Sequence, residues 1–490
     1  MPWLRLLVLT FAVVCCTTAA WAQGLPTPPP PESLLATAAP GPLAPQDQPT
    51  LCDGCPPRRL GKAVFQVTMI NVFYGVANLV RGQVTARVTP ETWWTNMERG
   101  WEWDLDDFTV NQFGHPYQGN NYFNAGRANG LTFWESAAVT AFGSGTWEYF
   151  GETNQASLND FINTTLGGIA LGEMFHRTAW LVRDTHKTGK SRLWNEIGAL
   201  ALDPVTGYNR FQSGDASRVT EKPAELTPSH LGAVTSAGVG WRQSTKTDES
   251  GTVEETSINP IVELDLLYGN LEADRSRTPY DAFGVRMTFG GGGPISEVTV
   301  RGRLLGQPLH NGVQLAVNQD YQYNKNDAYQ FGAQSFDVSA GINHDLSSRV
   351  SMMATGWGGL TVLGAVDSIP PEGSVVPEAE DAGQGVSTGP RNYDYGPGTN
   401  FGGIIELRRE QRGVARLSYD AHQLHVLDGA RANHFLQRLR ADVTLPLPGR
   451  FGMIVTGEFF DRHTYFQMAD VAPAHFHFPQ FRLSLTWNGS

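Results

Sequence analysis

The 490-residue chain is short of basic charge. Thirty-six Lys and Arg stand against 48 Asp and Glu, a formal net charge of −12. Nucleic acid calls for a basic stripe, so that partner is excluded. Cysteine is scarcer still, with four in the chain. Cys15 and Cys16 fall in an expected leader, which leaves Cys52 and Cys55 in Leu-Cys-Asp-Gly-Cys-Pro-Pro. In an oxidising compartment this short loop is expected to close as a disulfide. A redox-active C-x-x-C wants a βαβ setting and a zinc site wants a second ligand pair, and the sequence offers neither. Other absences narrow the chemistry. There is no G-x-S-x-G nucleophile elbow. Gly290 to Gly293 is not followed by the Lys-Ser/Thr of a phosphate loop and reads as a hairpin turn. No 40-to-50-residue repeat recurs, which argues against a propeller. One E-x-x-H occurs, Glu173 to His176, where a di-iron bundle uses two. His475 and His477 alternate on a strand and are too few for a metal. No metal and no cofactor is expected.

What is present begins with an export signal. Arg5 precedes the apolar run LLVLTFAVV, and Ala20-Trp21-Ala22 fits a cleavage site, so residues 1–22 read as a signal peptide. The apolar run is too short to span a bilayer, and Val14 is bulky for lipoprotein processing at Cys15. Loss of Arg5 takes the net charge to about −13. Residues 23–60, rich in Pro and Ala, form a linker carrying the two cysteines.

Residues 61–218 read as a helical domain. Apolar spacing predicts a helix over 61–81. A membrane span is the sharper reading, but Gln66, Asn71 and Asn78 are costly in lipid, which favours a helix packed against protein. Trp93, Trp94, Trp101 and Trp103, set among acids, suit a membrane-interface surface or a packed loop. Pro116 biases His115 away from helix. A helix is expected over 122–150, loosened near its end by Gly143 and Gly145. A second starts after Ser157 as N-cap, with Asp160 in its first turn, and runs to Leu181. Its Gly167, Gly168, Ala170 and Gly172 would admit another backbone closely. Residues 195–214 read as a connector.

This domain holds Arg127, Glu135, Glu148, Glu152, Asp160, Glu173 and His176 inside small, apolar runs. Charges so placed need partners, and Arg127 is expected to pair with a carboxylate such as Glu135 or Glu148. His115 and Ser136 complete the candidate polar network. Three uses can be weighed. The network satisfies itself in a helical plug or periplasmic cap of a barrel, in a structural or transport role. Alternatively Ser136, His115 and one of Glu135, Glu148 or Asp160 supply nucleophile, base and orienter of an envelope hydrolase acting on lipid or cell wall. Ser136 in an Ala-rich helix is also a simple packing residue. Or Glu173 and His176, with the i, i+4 pair Glu148 and Glu152, bind metal; a helix-end His176 is also an ordinary cap.

From residue 230 the period changes from 3.6 to 2. Phe481, Leu483, Leu485 and Trp487 alternate with Arg482, Ser484 and Thr486. Segments at 231–242, 260–271, 280–289, 296–305, 314–323, 331–342, 350–363, 401–409, 415–426, 436–445 and 451–460 behave alike. About twelve such stretches, roughly ten residues each, are the signature of a transmembrane barrel. The fold class is therefore α+β: an N-terminal helical domain, then an antiparallel transmembrane β-barrel over 230–490. The expected location is the outer membrane, with its lipid as partner, and 367–399 forms a long outside loop.

One stretch carries a family likeness. Asn111, His115-Pro116, Gly119, Tyr122, Ala125, Arg127, Asn129-Gly130, Glu135-Ser136, Ser144, Trp147-Glu148-Tyr149, Glu152, Ser157, Asp160, Gly167-Gly168 and Gly172-Glu173 are set out in a pattern that resembles the bacterial domain of unknown function 3943. The likeness covers residues 90–180. It implies an exported envelope protein and brings no activity.

Overall fold

Period-2 patterning puts one apolar and one polar face on each strand, and a ring of such strands leaves no edge unpaired. The computed structural model describes residues 56–248, 251–270, 275–309, 312–326, 328–368, 392–409, 412–467 and 471–488. The expected leader, most of the linker and the Cys52–Cys55 pair lie outside them. Two short parallel strands, β1 (Trp101–Glu102) and β2 (Ala156–Ser157), pair within the helical region. The other twelve are β3 (Leu231–Asp248), β4 (Gly251–Tyr268), β5 (Phe283–Gly290), β6 (Glu297–Pro308), β7 (Val313–Lys325), β8 (Gln330–Ser347), β9 (Val350–Asp367), β10 (Tyr393–Arg409), β11 (Arg412–His425), β12 (Ala432–Pro446), β13 (Phe451–Phe466) and β14 (Ala474–Asn488). They close an antiparallel barrel in which β14 pairs with β3. Each expected segment falls on one of these strands. The expected outside loop is shorter than 367–399, because Tyr393 to Thr399 already pair with β9 or β11.

The lumen is filled by the strands themselves. Arg438 of β12 reaches Glu297 of β6 at 2.8 Å, and those strands stand six places apart in the ring of twelve. Arg440 and Arg482 converge on Glu263 at 2.6 and 2.8 Å. Gln322 of β7 meets His422 of β11 at 3.4 Å. Tyr329, between β7 and β8, stacks on Phe460 with centroids 3.7 Å apart. These contacts fix the inward set, so the residues alternating with it point outward. Val338, Leu360, Phe401, Leu483 and Leu485 lie on that outward face and are exposed.

The helices are α1 (Leu60–Val80), α2 (Pro90–Arg99), α3 (His115–Arg127), α4 (Phe133–Phe150), α5 (Leu158–Ile162), α6 (Gly168–Val182), α7 (Gly189–Leu202) and α8 (Pro204–Ser213). Ser157 caps α5 and accepts from the Asp160 N–H, as its sequence position predicts. Other readings need correction. The helix expected over 122–150 is two, α3 and α4. Gly130 takes φ +71°, and Thr132 with Glu135 forms a reciprocal capping box that starts α4 afresh. Gly143 and Gly145 stay within α4. His115 is helical despite Pro116: a π-helical stretch, Val110–Gly114, runs directly into α3, and Pro116 follows it in the first turn of the regular helix. Residues 195–214 are mostly α7 and α8, the latter capped by Asp203.

The expected placement of the helical block as a plug or periplasmic cap is also corrected. It lies against the outer face of the wall. Tyr321 and Tyr323 alternate with the lumen-facing Gln322 and are fully covered. The Tyr321 hydroxyl donates to the Gln112 carbonyl at 2.7 Å, and Tyr323 lies against Phe108 and Phe113. Outward Val285, Val298, Val300, Leu363, Ala365, Tyr393 and Tyr395 join Phe108, Phe123, Phe133, Leu171 and Met174 in one core. A lumen already filled with ion pairs has no room for helices, whereas a ring of apolar outward side chains offers them a core to share.

Candidate functional site

Pairing of β1 with β2 sets the loop before α3 beside the start of α5. There Asn159 organises the acids. Its amide oxygen accepts from the Asp104 N–H at 2.8 Å. Its amide nitrogen donates to Asp160 Oδ1 at 2.8 Å and to the Tyr395 hydroxyl at 3.2 Å. Glu148 Oε2 accepts from the Ser157 N–H at 2.9 Å. His115 Nε2 stands 3.7 Å from Asp160 Oδ1, with its Nδ1 3.3 Å from Thr164 Oγ1. Ligand atoms of Asp104, His115 and Asp160 all lie within 4.8 Å of one another, spacing suited to a divalent ion. Asp461, His475 and His477 on the barrel form a second such group.

Among the described contacts, no Lys or Arg is paired with Glu148 or Asp160. Burial, then repulsion by Asp160, pushes the Asp104 carboxyl well above its ordinary range. Burial, then the charges of Asp160 and Glu152, does the same to Glu148. Burial and the Asp104 charge push Glu152 to about 8, and burial foremost pushes Asp160 to about 7. His115 is driven down by burial against the pull of Asp104 and Asp106. The cluster therefore holds protons at neutral pH.

A carboxyl raised on folding supports the fold fully below its unfolded value and loses that support as pH rises through the folded one. For Glu152 the window runs from the ordinary 4.5 to about 8. Thermal stability of the helical block should fall from about pH 5 to about pH 8, and Glu152→Gln should flatten the fall. A wild-type profile flat over that range would contradict the cluster as described.

The other candidates make separate contacts. Arg127 pairs with Glu173 at 3.0 Å rather than with Glu135 or Glu148. Glu173 also holds Arg177 at 2.7 Å, and Arg177 reaches the Thr278 hydroxyl at 3.1 Å and the Pro279 carbonyl at 3.2 Å, beside the barrel wall. Burial alone would raise Glu173; Arg127 and Arg177 outweigh it and hold the carboxyl low. His176 bonds Asp203 at 2.9 Å. With both groups engaged, the E-x-x-H is not a free ligand pair. Glu135 serves the capping box and meets the exposed Arg58 at 2.5 Å. Ser136 is fully buried against Gly126, and its hydroxyl has no partner, so no Ser136–His115 contact is formed. Glu152 belongs with the acid cluster through charge, repelled by Asp104 and Asp106, while its backbone carbonyl accepts from the Asn96 amide at 3.0 Å.

Sequence reasoning passed over Asp104, Asn159, Asp203 and the Glu196 cluster with Arg192 and Arg210 at 2.8 and 2.9 Å. The acid density of Trp-Glu-Trp-Asp-Leu-Asp-Asp was the available signal for the first.

No curated protein matches the sequence. Solved structures that match include the outer membrane protease OmpT from Escherichia coli, 8% identical, covering 54% of this chain and 97% of that one at a TM-score of 0.20. An outer membrane channel from Pseudomonas putida F1 is 11% identical, covering 55% and 99% at 0.23. The NanC porin is 7% identical, covering 51% and 98% at 0.24. The family model for a domain of unknown function, DUF3943, matches residues 100–205. That match reaches from β1 through the acid cluster and the Glu173 pairs to the start of α8.

Proposed function

We propose that the chain is an outer-membrane protein in which a closed, side-chain-filled barrel anchors the DUF3943 domain against its outer wall, in a structural role rather than as an open pore. The observation that carries this reading is the Arg438–Glu297 pair across the lumen. A 12-stranded ring is wide enough to hold ligand or water, and here charged side chains occupy that space. Outward apolar side chains support a lipid environment.

Two measurements test it. Gel mobility of unboiled and boiled outer membranes should shift, as expected of a closed barrel, with the protein in the outer-membrane fraction. In planar bilayers the wild-type protein should give no steady conductance. Arg438→Ala, which removes the cross-lumen strut and leaves Glu297 unpaired, should give measurable channel openings. Steady wild-type conductance would replace the structural role with transport.

The proton-holding acids favour a second reading, acid–base chemistry on an envelope lipid or cell-wall substrate. It would use Asp160, Glu148 and His115, with Ser136 left out. Hydrolysis of isolated envelope fractions abolished by Asp160→Asn and retained in Ser136→Ala would support it. Equal hydrolysis by all three proteins would remove it.

A further inference from the structure

The outward side of the helical block is as apolar as the barrel wall. α1 packs inward through Ala63, Val67 and its polar groups. Its other face shows Phe65, Met69, Val72, Phe73, Val76, Leu79 and Val80, with Phe73 69% and Val80 83% exposed. A helix facing water would carry charge there. No charged residue occurs between Lys62 and Arg81, and Arg58, Arg59 and Lys62 bracket one end as Arg81 and Arg87 bracket the other. Twenty-one residues rise about 31 Å, close to the roughly 30 Å of bilayer hydrocarbon.

Two of the three polar residues that argue against lipid, Gln66 and Asn71, are turned inward, and the third, Asn78, is half-buried. Gln66 accepts from Asn129 at 2.5 Å and donates to Asn209 at 2.6 Å. Asn71 donates to the Gly143 carbonyl at 3.2 Å and to Thr146 at 3.1 Å, and accepts from Tyr122. Thr68 returns its hydroxyl to the Val64 carbonyl at 3.0 Å. Hydrocarbon imposes this internal satisfaction, and water does not. α4, joined to α1 by Asn71 and by the Tyr74–Trp147 contact, exposes Trp134, Phe142 and Phe150.

We infer that the outer faces of α1 and α4 are immersed in bilayer hydrocarbon beside the barrel, with lipid acyl chains as their occupant. The inference rests on the membrane-barrel reading above, which supplies the bilayer. Position supports it. The block is attached to the part of the wall that continues into exposed Val338, Leu360 and Phe401, so the same environment meets both.

Nitroxide labels test it at Phe65→Cys, Phe73→Cys and Val76→Cys, in a Cys52→Ser, Cys55→Ser chain reconstituted in phospholipid vesicles. Leu483→Cys on the barrel and Lys190→Cys on α7 are references. The three α1 labels should match Leu483→Cys, with a ratio of oxygen to nickel-chelate accessibility several-fold above that at Lys190→Cys. Nickel accessibility equal to Lys190→Cys means water and overturns the inference. Low accessibility to both reagents, with spin–spin broadening that grows with protein density, means a second copy and also overturns it. If labelled chains fail to shift on heating, an apolar carbene reagent in vesicles of the unaltered protein replaces them; modification should concentrate on residues 60–80, and its absence there overturns the inference. A barrel that does not shift, or a water-exposed Leu483→Cys, would instead sink the membrane reading itself.

Discussion

Replacing Glu173 by alanine should cost about 3–5 kcal/mol and free the helical block from the barrel, because it strands the buried Arg177 and leaves Arg127 only a long ion pair, with Glu225 at 3.8 Å. Arg127 and Arg177 both depend on this carboxylate, and all three side chains are at least nine-tenths buried. Burial makes the loss worse, since neither guanidinium gains water in exchange. Glu173→Gln should recover part of the loss by keeping one acceptor. Limited proteolysis of the helical region, with the barrel's heat-dependent gel mobility as control, reads the effect. Unchanged protease resistance in Glu173→Ala would show that the two Arg residues are held by their carbonyl and hydroxyl contacts alone.

A second large effect is expected at Gly119. A side chain here would run into the Thr164 carbonyl and the Gly168 backbone, and one at Gly168 would run into Gly119 in turn. α3 and the start of α6 therefore touch backbone to backbone. Gly119→Val cannot be absorbed by a rotamer change, because the obstacle is main chain, so the helices must separate by more than a methyl width. A loss of roughly 3 kcal/mol or more follows, at the upper end of overpacking costs. Separation would also pull Thr164 from His115 and Asp160 from its neighbours. The variant should therefore lose the pH dependence of stability along with stability itself. A Gly119→Val protein with wild-type melting would mean that the close crossing is not kept in solution.

The barrel was legible in the sequence because alternation is a local property. Each of the twelve segments announces its own faces, as Arg482 and Leu483 do. What covers an outward face is not local. Tyr321 and Tyr323 read equally well as lipid-facing or protein-covered, so the helical block was expected under or inside the barrel and lies against its side. Ser157 and Asp160 were readable because a cap is a spacing rule. Arg127 was readable as a charge needing a carboxylate, but the choice of Glu173 over Glu135 depends on how α3 crosses α6. Asp104 and Asn159 escaped because they meet only through the short β1–β2 pairing. α1 was half read: its Asn and Gln do pack on protein, and its remaining face does not.

The docking face of the helical block has one more consequence, in the order of assembly. Its outward residues, from Tyr268 to Tyr395, belong to strands that follow one another along the chain, β4 to β10. Ring closure instead joins β14 to β3, the last strand to the first. The block can therefore settle on a curved, still open sheet before the final four strands are in place. A chain stalled before closure would already have covered its tyrosine-rich surface, with β3 and β10 as its two open edges.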